Sequence, residues 1–389
     1  MRIVNDKNRC CGCGACAVSC PMLCITMEMD KHGFYYPLVN KSKCINCGLC
    51  KNVCIYKVAI PSCFPNEVYA AKAKDVLVRN TSSSGGVFSL LAQYVILNGG
   101  IVFGAAFNEE SEVCHIDVAD IKNLDLLQRS KYVQSITWEI FKRVKSCAVS
   151  NRLTLFSGTP CQCIALKLYL QKEYSNLIIV DVACHGVPSP KIWKQWLAKV
   201  KKENNIGRKA EINFRYKKPT AKMYSFLLSD GLNKVVIKRK DNSYMNAFYN
   251  NLFLRPSCYN CIAKGKFNSD ITLADYWGLQ YHYPEFEDNK GVSMVLLNSI
   301  KGKEIFSKID VDKVATECAI AVDVNTTLVK SVKGNPKCAK FWSLYDTIGI
   351  DALDIMLAKS NRYKLLKRIK SICIKIVRQL KFQIKLRLL

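Results

Sequence analysis

A chain of 389 residues with 49% apolar content has material for two or three packed domains at roughly 150 residues each, which excludes disorder as its main state. No run of about 18 apolar residues suggests a transmembrane helix, and the opening MRIVNDKNRCCGCGAC lacks the apolar region of a secretion signal, so the 21 cysteines read as metal ligands or redox groups in a reducing cytoplasm. The formal charge of +27, from 58 Lys and Arg against 31 Asp and Glu, invites a nucleic-acid reading, but no zinc-finger, RNP or helix-turn-helix signature accompanies it and nucleic acid is not expected as a partner.

Residues 1–60 are dense in cysteine and short of large apolar side chains, so something besides hydrophobic packing must hold them. They contain Cys10-x2-Cys13-x2-Cys16-x3-Cys20-Pro21 and then Cys44-x2-Cys47-x2-Cys50-x3-Cys54. Three thiolates two residues apart on a glycine-containing loop wrap three iron corners of one cubane, and the fourth, turned away, reaches the neighbouring cluster. One 4Fe-4S cluster is therefore assigned to Cys10, Cys13, Cys16 and Cys54, and a second to Cys44, Cys47, Cys50 and Cys20. Structural zinc is the competing reading, but zinc sites show two separated ligand pairs rather than two runs of four. Over residues 5–60 the chain resembles the bacterial two-cluster ferredoxins, with Ile55 where that family has proline. Cys11 and Cys24 fall outside the spacing and read as bystanders.

A connector, Pro61-Ser62-Cys63-Phe64-Pro65-Asn66, marks a boundary. Beyond it Ser82-Ser83-Ser84-Gly85-Gly86 opens a helix-like stretch from Val87 to Leu97, Gly99-Gly100 ends it, and Ile101 to Phe107 reads as a buried strand. Leu153 to Ser157 reads as a strand, Ile164 to Gln171 as a helix and Leu177 to Val182 as a strand, a βαβ rhythm that predicts an α/β domain with parallel pairing. Ile212 to Lys240 reads as shorter, antiparallel strands. The expected fold is an α+β ferredoxin-like dicluster domain, then an α/β domain with a mixed sheet, then a C-terminal basic amphipathic helix.

Cys161 and Cys184 each follow a predicted strand, and Cys258 and Cys261 form a CxxC. Ends of adjacent strands in an α/β sheet line one crevice, so the four thiolates suffice for a third 4Fe-4S cluster. By spacing alone zinc, a redox pair or buried packing compete with it. The remaining cysteines (Cys63, Cys114, Cys147, Cys163, Cys318, Cys338, Cys373) have no ligand spacing and read as small core residues.

The runs Ser83-Ser84-Gly85-Gly86-Val87-Phe88-Ser89, Ser130-Lys131-Tyr132-Val133-Gln134-Ser135 and Gly158-Thr159-Pro160-Cys161-Gln162 resemble the coenzyme F420 hydrogenase/dehydrogenase beta-subunit family. So do Cys184-His185-Gly186-Val187-Pro188-Ser189, the Cys258-x2-Cys261 pair and Asp270 to Gly278. The motifs stand in the family's order over about residues 67–300, leaving 301–354 as a helical extension. The resemblance implies an iron–sulfur flavoprotein oxidoreductase in which Cys161, Cys184, Cys258 and Cys261 hold a four-iron cluster beside FAD, and some members pass hydride to the deazaflavin coenzyme. It makes the turn holding Ser83, Ser84, Gly85 and Gly86 a phosphate or flavin contact, as backbone N–H groups opening a helix suit a pyrophosphate; an ordinary helix N-cap is the competing reading. Lys131 and Tyr132 are expected near the flavin. His185 and Asp275 are candidates for proton transfer, with loop orientation as their alternative role. The partner implied is a redox carrier, ferredoxin or reduced deazaflavin, or a partner oxidoreductase. A non-catalytic electron-transfer subunit is the rival reading, and members with a fused ferredoxin domain resemble proteins associated with surface-polysaccharide synthesis.

From Ile355 to Leu389 there are 11 Lys or Arg and no Asp or Glu. Leu365, Leu366, Ile369, Ile372, Ile376 and Leu380 share one helical face and lysines and arginines the other, over some 30 Å at about 1.5 Å per residue. Such a helix is expected on an anionic membrane surface, peripheral on the inner face; docking onto its own domain is the alternative.

Overall fold

In the computed structural model, which describes residues 6–357, the cysteine-dense segment has little regular structure. β1 (Ile25–Met29) and β2 (Tyr35–Val39) form an antiparallel hairpin. Two short helical turns, Ala15–Val18 and Leu49–Asn52, each begin at a left-handed glycine, Gly14 (φ +72°) and Gly48 (φ +78°). These glycines hold the same place in both motifs, two residues before the third cysteine, because the loop reverses there in a conformation that a Cβ would strain.

Eleven strands follow: β3 (Glu67–Ala73), β4 (Ile101–Phe107), β5 (Val113–Val118), β6 (Thr154–Gly158), β7 (Leu177–Val182), β8 (Glu211–Tyr216), β9 (Ser225–Ser229), β10 (Lys234–Lys238), β11 (Ile271–Asp275), β12 (Ser293–Leu297) and β13 (Val311–Thr316). Eight of them make one mixed sheet in the order β13-β3-β12-β11-β7-β6-β4-β5. Its centre, β11, β7, β6 and β4, is parallel, and antiparallel strands close both margins. The parallel strands are continuous apolar runs, as burial on both faces requires: Leu155, Phe156, Ile178, Ile179 and Val180 are all buried. β8, β9 and β10 form a separate antiparallel sheet over an aromatic core in which Phe214 lies 4.8 Å from Trp193 and Phe226 5.1 Å from Trp196.

Residues 301–354 are not wholly helical. β13 pairs antiparallel with β3, Val314 opposite Ala70, and extends the main sheet at its edge. Its mixed run, Val311-Asp312-Lys313-Val314-Ala315-Thr316, is half exposed, which is how an edge strand stays soluble and why its apolar signal is weak. The basic amphipathic helix expected after Ile355 lies almost entirely outside the described residues. Among those described, no helix is long and apolar enough to cross a membrane.

The cysteine-dense segment is held by the larger domain. Ser189 Oγ donates to His32 O (2.6 Å), Gln134 Nε2 to Cys11 O (3.0 Å) and Thr137 Oγ1 to Cys13 O (3.2 Å). A Cβ on Gly14 would stand 2.4 Å from Trp138 Cβ, and one on Gly33 2.3 Å from Lys191 Cβ. From the far end of the chain, Trp342 stacks on His32 with ring centroids 3.9 Å apart.

Candidate metal centres

The described cysteines form no disulfide, and those at the predicted ligand positions gather in three groups. Cys10, Cys13, Cys16 and Cys54 line one small cavity of about 20 Å³ with Cys11, Gly12 and Gly14. Burial raises the Cys16 thiol, and Cys10 and Cys54 raise it further; burial likewise raises Cys54, with Cys10 adding to it. Cys54 of the second motif thus stands with three cysteines of the first.

Cys20 crosses the other way. Burial raises Cys50, then Cys47 beside it, with Cys20 and Cys44 contributing. Cys24 is in this group too: its thiol lies 3.3 Å from Cys20 Sγ, and hydrogen bonding with Cys20 followed by burial pushes it up to about 11. Cys47 is exposed, whereas Cys10 is buried, so the group around Cys47 is the outer one and the group around Cys10 the inner.

The third group is built by the sheet. β6 and β7 are in register with Gly158 opposite Asp181, so Cys161 and Cys184, each three residues further on, leave the same edge side by side. Thr159 and Gln162 form a capping box with Pro160 in the first turn, which starts the helix Pro160–Leu170 and sets Cys161 in that turn. Beyond β7, Arg255 N donates to Val187 O (2.9 Å) and Pro188 bridges Leu254, a staple that lays the CxxC loop over Cys184. Gly186 (φ +142°) admits this approach, for its Cβ would stand 3.3 Å from Cys258 Cβ. Val187 N donates to Cys258 Sγ (3.4 Å), and Thr159 Oγ1 lies 3.3 Å from Cys161 Sγ.

Burial pushes Cys184 up to about 12 against the opposing charge of Lys264, and pushes Cys261 up to about 11 with Cys161 adding to it. Burial also raises Cys258, with Cys184, Cys161 and Cys261 contributing. Groups of buried thiols that oppose one another's ionisation are unfavourable as thiolates alone, and suit cations that displace their protons. Among the described residues no three His, Cys, Asp or Glu side chains form a group that could hold a single metal ion. The donors are soft sulfur, the cavity around Cys10 holds no carboxylate, and backbone N–H groups approach sulfur; these features fit iron–sulfur clusters.

Two residues read as bystanders or overlooked belong here. Cys11, Cys13 and Cys161 pack against one apolar cluster, which sets the inner group beside the third; the Cys11 thiol is raised first by Cys13, and that of Cys161 first by Cys11. Tyr56 stands in the same seam, raised by burial and then by Cys11, Cys261 and Cys161. The doubled Cys10-Cys11 was the one sequence signal for this contact. Arg255 had a local signal only in preceding Pro256 and Cys258.

The residues named for a flavin and for proton transfer are held by partners other than sulfur. Lys131 Nζ donates to Leu126 O (2.9 Å) and Gln128 O (2.6 Å), and burial lowers it to about 7. In the turn, Ser83 Oγ accepts from Ser130 N (2.8 Å), Ser84 Oγ donates to Val292 O (2.9 Å) and Gly85 N donates to Ser293 Oγ (3.0 Å). Gly86 (φ +89°) begins the helix Val87–Leu97 without a side-chain cap. The turn thus keeps helix-start backbone groups for an anion, while Lys131 and the serine hydroxyls are engaged within the chain. Tyr132 packs edge-on against Phe214 and accepts from Arg215 Nη1 (3.4 Å). Asp275 is ion-paired with buried Arg215 at 2.5 Å, and His185 Nε2 lies 2.6 Å from Asn251 Oδ1 under Phe248.

Residues 9–58 match the family described as 4Fe-4S dicluster domain, and residues 151–322 match the family described as the C terminus of the coenzyme F420 hydrogenase/dehydrogenase beta subunit. A chain of the F420-reducing NiFe hydrogenase complex from Methanosarcina barkeri, solved in a xenon-derivatised form, is similar at 14% identity and a TM-score of 0.46, over 75% of this chain and 95% of that one. No curated protein matches.

Proposed function

We propose that the chain, whose residues 9–58 match a 4Fe-4S dicluster domain and 151–322 the C terminus of the coenzyme F420 hydrogenase/dehydrogenase beta subunit, is an iron–sulfur protein of electron-transfer oxidoreductase type in which three thiol groups form one electron path. The observation that carries this reading is the packing of Cys11 and Cys13 with Cys161 and Cys261 against one apolar cluster, which sets the inner group beside the third. Clusters held there supply storage and relay of single electrons. Cys20, Cys44, Cys47 and Cys50 hold the outer, solvent-facing group; Cys10, Cys13, Cys16 and Cys54 the inner; Cys161, Cys184, Cys258 and Cys261 the third, at the edge of the parallel sheet.

In this reading an external one-electron carrier or partner oxidoreductase meets the chain at the outer group. FAD and the deazaflavin coenzyme enter through the family resemblance alone, with the helix start at Gly86 as the flavin's phosphate contact. His185 orients the loop beside Cys184, and Asp275 holds Arg215, so neither is assigned a proton. The engagement of Lys131 and the serine hydroxyls favours a second reading, a non-catalytic subunit that wires a partner enzyme. A place in surface-polysaccharide synthesis, at an anionic membrane surface, rests on the resemblance and on the basic composition of the tail.

The test is a pair of variants purified anaerobically. Cys161→Ser with Cys184→Ser should lower bound iron by about four per chain and leave the dicluster signals intact. Unchanged iron content would remove the third group from the account. Bound FAD with turnover of an added acceptor would select the enzyme, and iron without flavin the relay.

A further inference from the structure

Among the described residues three arginines are buried, and two of them have carboxylates. Arg79 grips Asp288 with two bonds of 2.5 and 2.6 Å, and Arg215 pairs with Asp275 at 2.5 Å. Arg255, wholly buried, is different. Its Nε donates to Cys10 O (2.6 Å), Nη1 to Gln134 Oε1 (3.0 Å), and Nη2 to Tyr35 O (2.7 Å) and Cys10 Sγ (3.7 Å). The guanidinium also lies 4.3 Å from the centre of the Tyr36 ring. Among the described residues none of its bonds goes to a carboxylate. A buried cation without an anion is costly, and among its hydrogen-bond partners the one able to carry negative charge is the Cys10 sulfur.

The main chain of the same residue belongs to the third group. Arg255 O accepts from Cys258 N (2.9 Å), while Arg255 N is fastened to Val187 O. The fit is close on the other side as well: a Cβ on Gly12 would stand 2.7 Å from Arg255 Nη1.

We propose that Arg255 is a positioning residue that couples the inner group to the third, its guanidinium the fixed counter-cation of thiolates around Cys10 and its backbone the mount of Cys258. The proposal rests on the electron path proposed above. A fixed cation favours the form of a cluster that carries one more electron, and a water-excluded one is screened far less than the exposed Lys41, Lys43 and Lys51 around the outer group. The inner potential is thereby raised above the outer. The step is one electron lost by an external one-electron carrier and one gained inside, with no bond or proton exchanged.

The test compares wild type, Arg255→Met, Arg255→Lys and Gln134→Glu by anaerobic redox titration followed by electron paramagnetic resonance, with iron counted in each. Arg255→Met should lower one cluster's midpoint by at least a tenfold change in its reduction equilibrium, which is about 59 mV for one electron. Arg255→Lys should recover most of that shift. Gln134→Glu, nearly isosteric, should lower the same midpoint by giving the guanidinium a carboxylate. Unchanged midpoints in an Arg255→Met protein with about twelve irons, three cubanes, would overturn the proposal and leave the path standing. If that variant loses iron, unchanged midpoints in Gln134→Glu would overturn it instead. About eight irons in wild type would remove the path and the proposal together.

Discussion

Arg215 and Asp275 show how a residue chosen for chemistry turns out to be held by charge. Asp275 ends β11 within a motif shared with an oxidoreductase family, which made it a candidate for proton transfer. Its carboxylate is the partner of a guanidinium that is 4% exposed. Asp275→Asn should cost about 3 kcal/mol of stability, because it strands a buried charge, and Asp275→Asn with Arg215→Met should recover much of it. Anaerobic denaturant titration checks both, and a single variant as stable as wild type would return Asp275 to the list of reacting groups. Two other buried groups set a pH dependence. His115 donates from Nε2 to Ser157 O (2.8 Å) and accepts at Nδ1 from Ser135 (2.7 Å), and burial lowers it to about 4. Below its unfolded value near 6.5 the unfolded chain binds a proton that the fold refuses, so this group makes stability rise with pH between about 4 and 6.5. Asp181, raised by burial to about 6, acts oppositely: the fold keeps the proton that the unfolded chain releases, and stability falls as pH rises from about 4 to 6. Relative to wild type, His115→Gln should therefore gain stability as pH falls from 6.5 to 5, and Asp181→Asn should gain it as pH rises from 5 to 6. Thermal midpoints across that range check the two opposite slopes.

At the scale of elements, the sites follow from how helices begin and strands end. Thr159→Ala removes the capping box that sets Cys161 in the first turn of its helix, and should cost about 1 kcal/mol and make iron at the third group easier to chelate. Release of iron to a chelator at the wild-type rate would show that the cap does not position the thiol. The helix Val87–Leu97 and the strands Ile101–Phe107 and Leu177–Val182 were legible because long apolar runs stand between glycines and polar turns. The helix after β6 begins four residues earlier than its apolar run suggests, since Pro160 is favourable at a first turn and its start is set by Thr159 and Gln162 rather than by apolar side chains. β13 escaped because an edge strand is half polar. The spacing of cysteines carried the dicluster groups, where all eight proposed ligands lie within 45 residues. Arg255 was not legible: Cys10 is 245 residues away and Gln134 121, and only the fold brings them together. The bonds of Lys131 were local by contrast, its carbonyl partners lying within five residues.

Among the described residues the two dicluster groups differ in their access to solvent. Cys47 is exposed, Cys10 is buried against the larger domain, and the CxxC loop lies beside the third group, whose four cysteines are half-buried. Slow oxidation or chelation should therefore strip iron in steps, the outer group first, so that about a third of the iron leaves before the signal of the inner group declines. Simultaneous loss from all groups would contradict that order. The central claim is that three sets of four thiols each hold a four-iron cubane in one connected chain. Iron and acid-labile sulfide counted per chain in anaerobically purified protein test it most directly: the account predicts about twelve of each, with absorbance bleached by dithionite, whereas zinc in place of iron, or colourless protein, would contradict it.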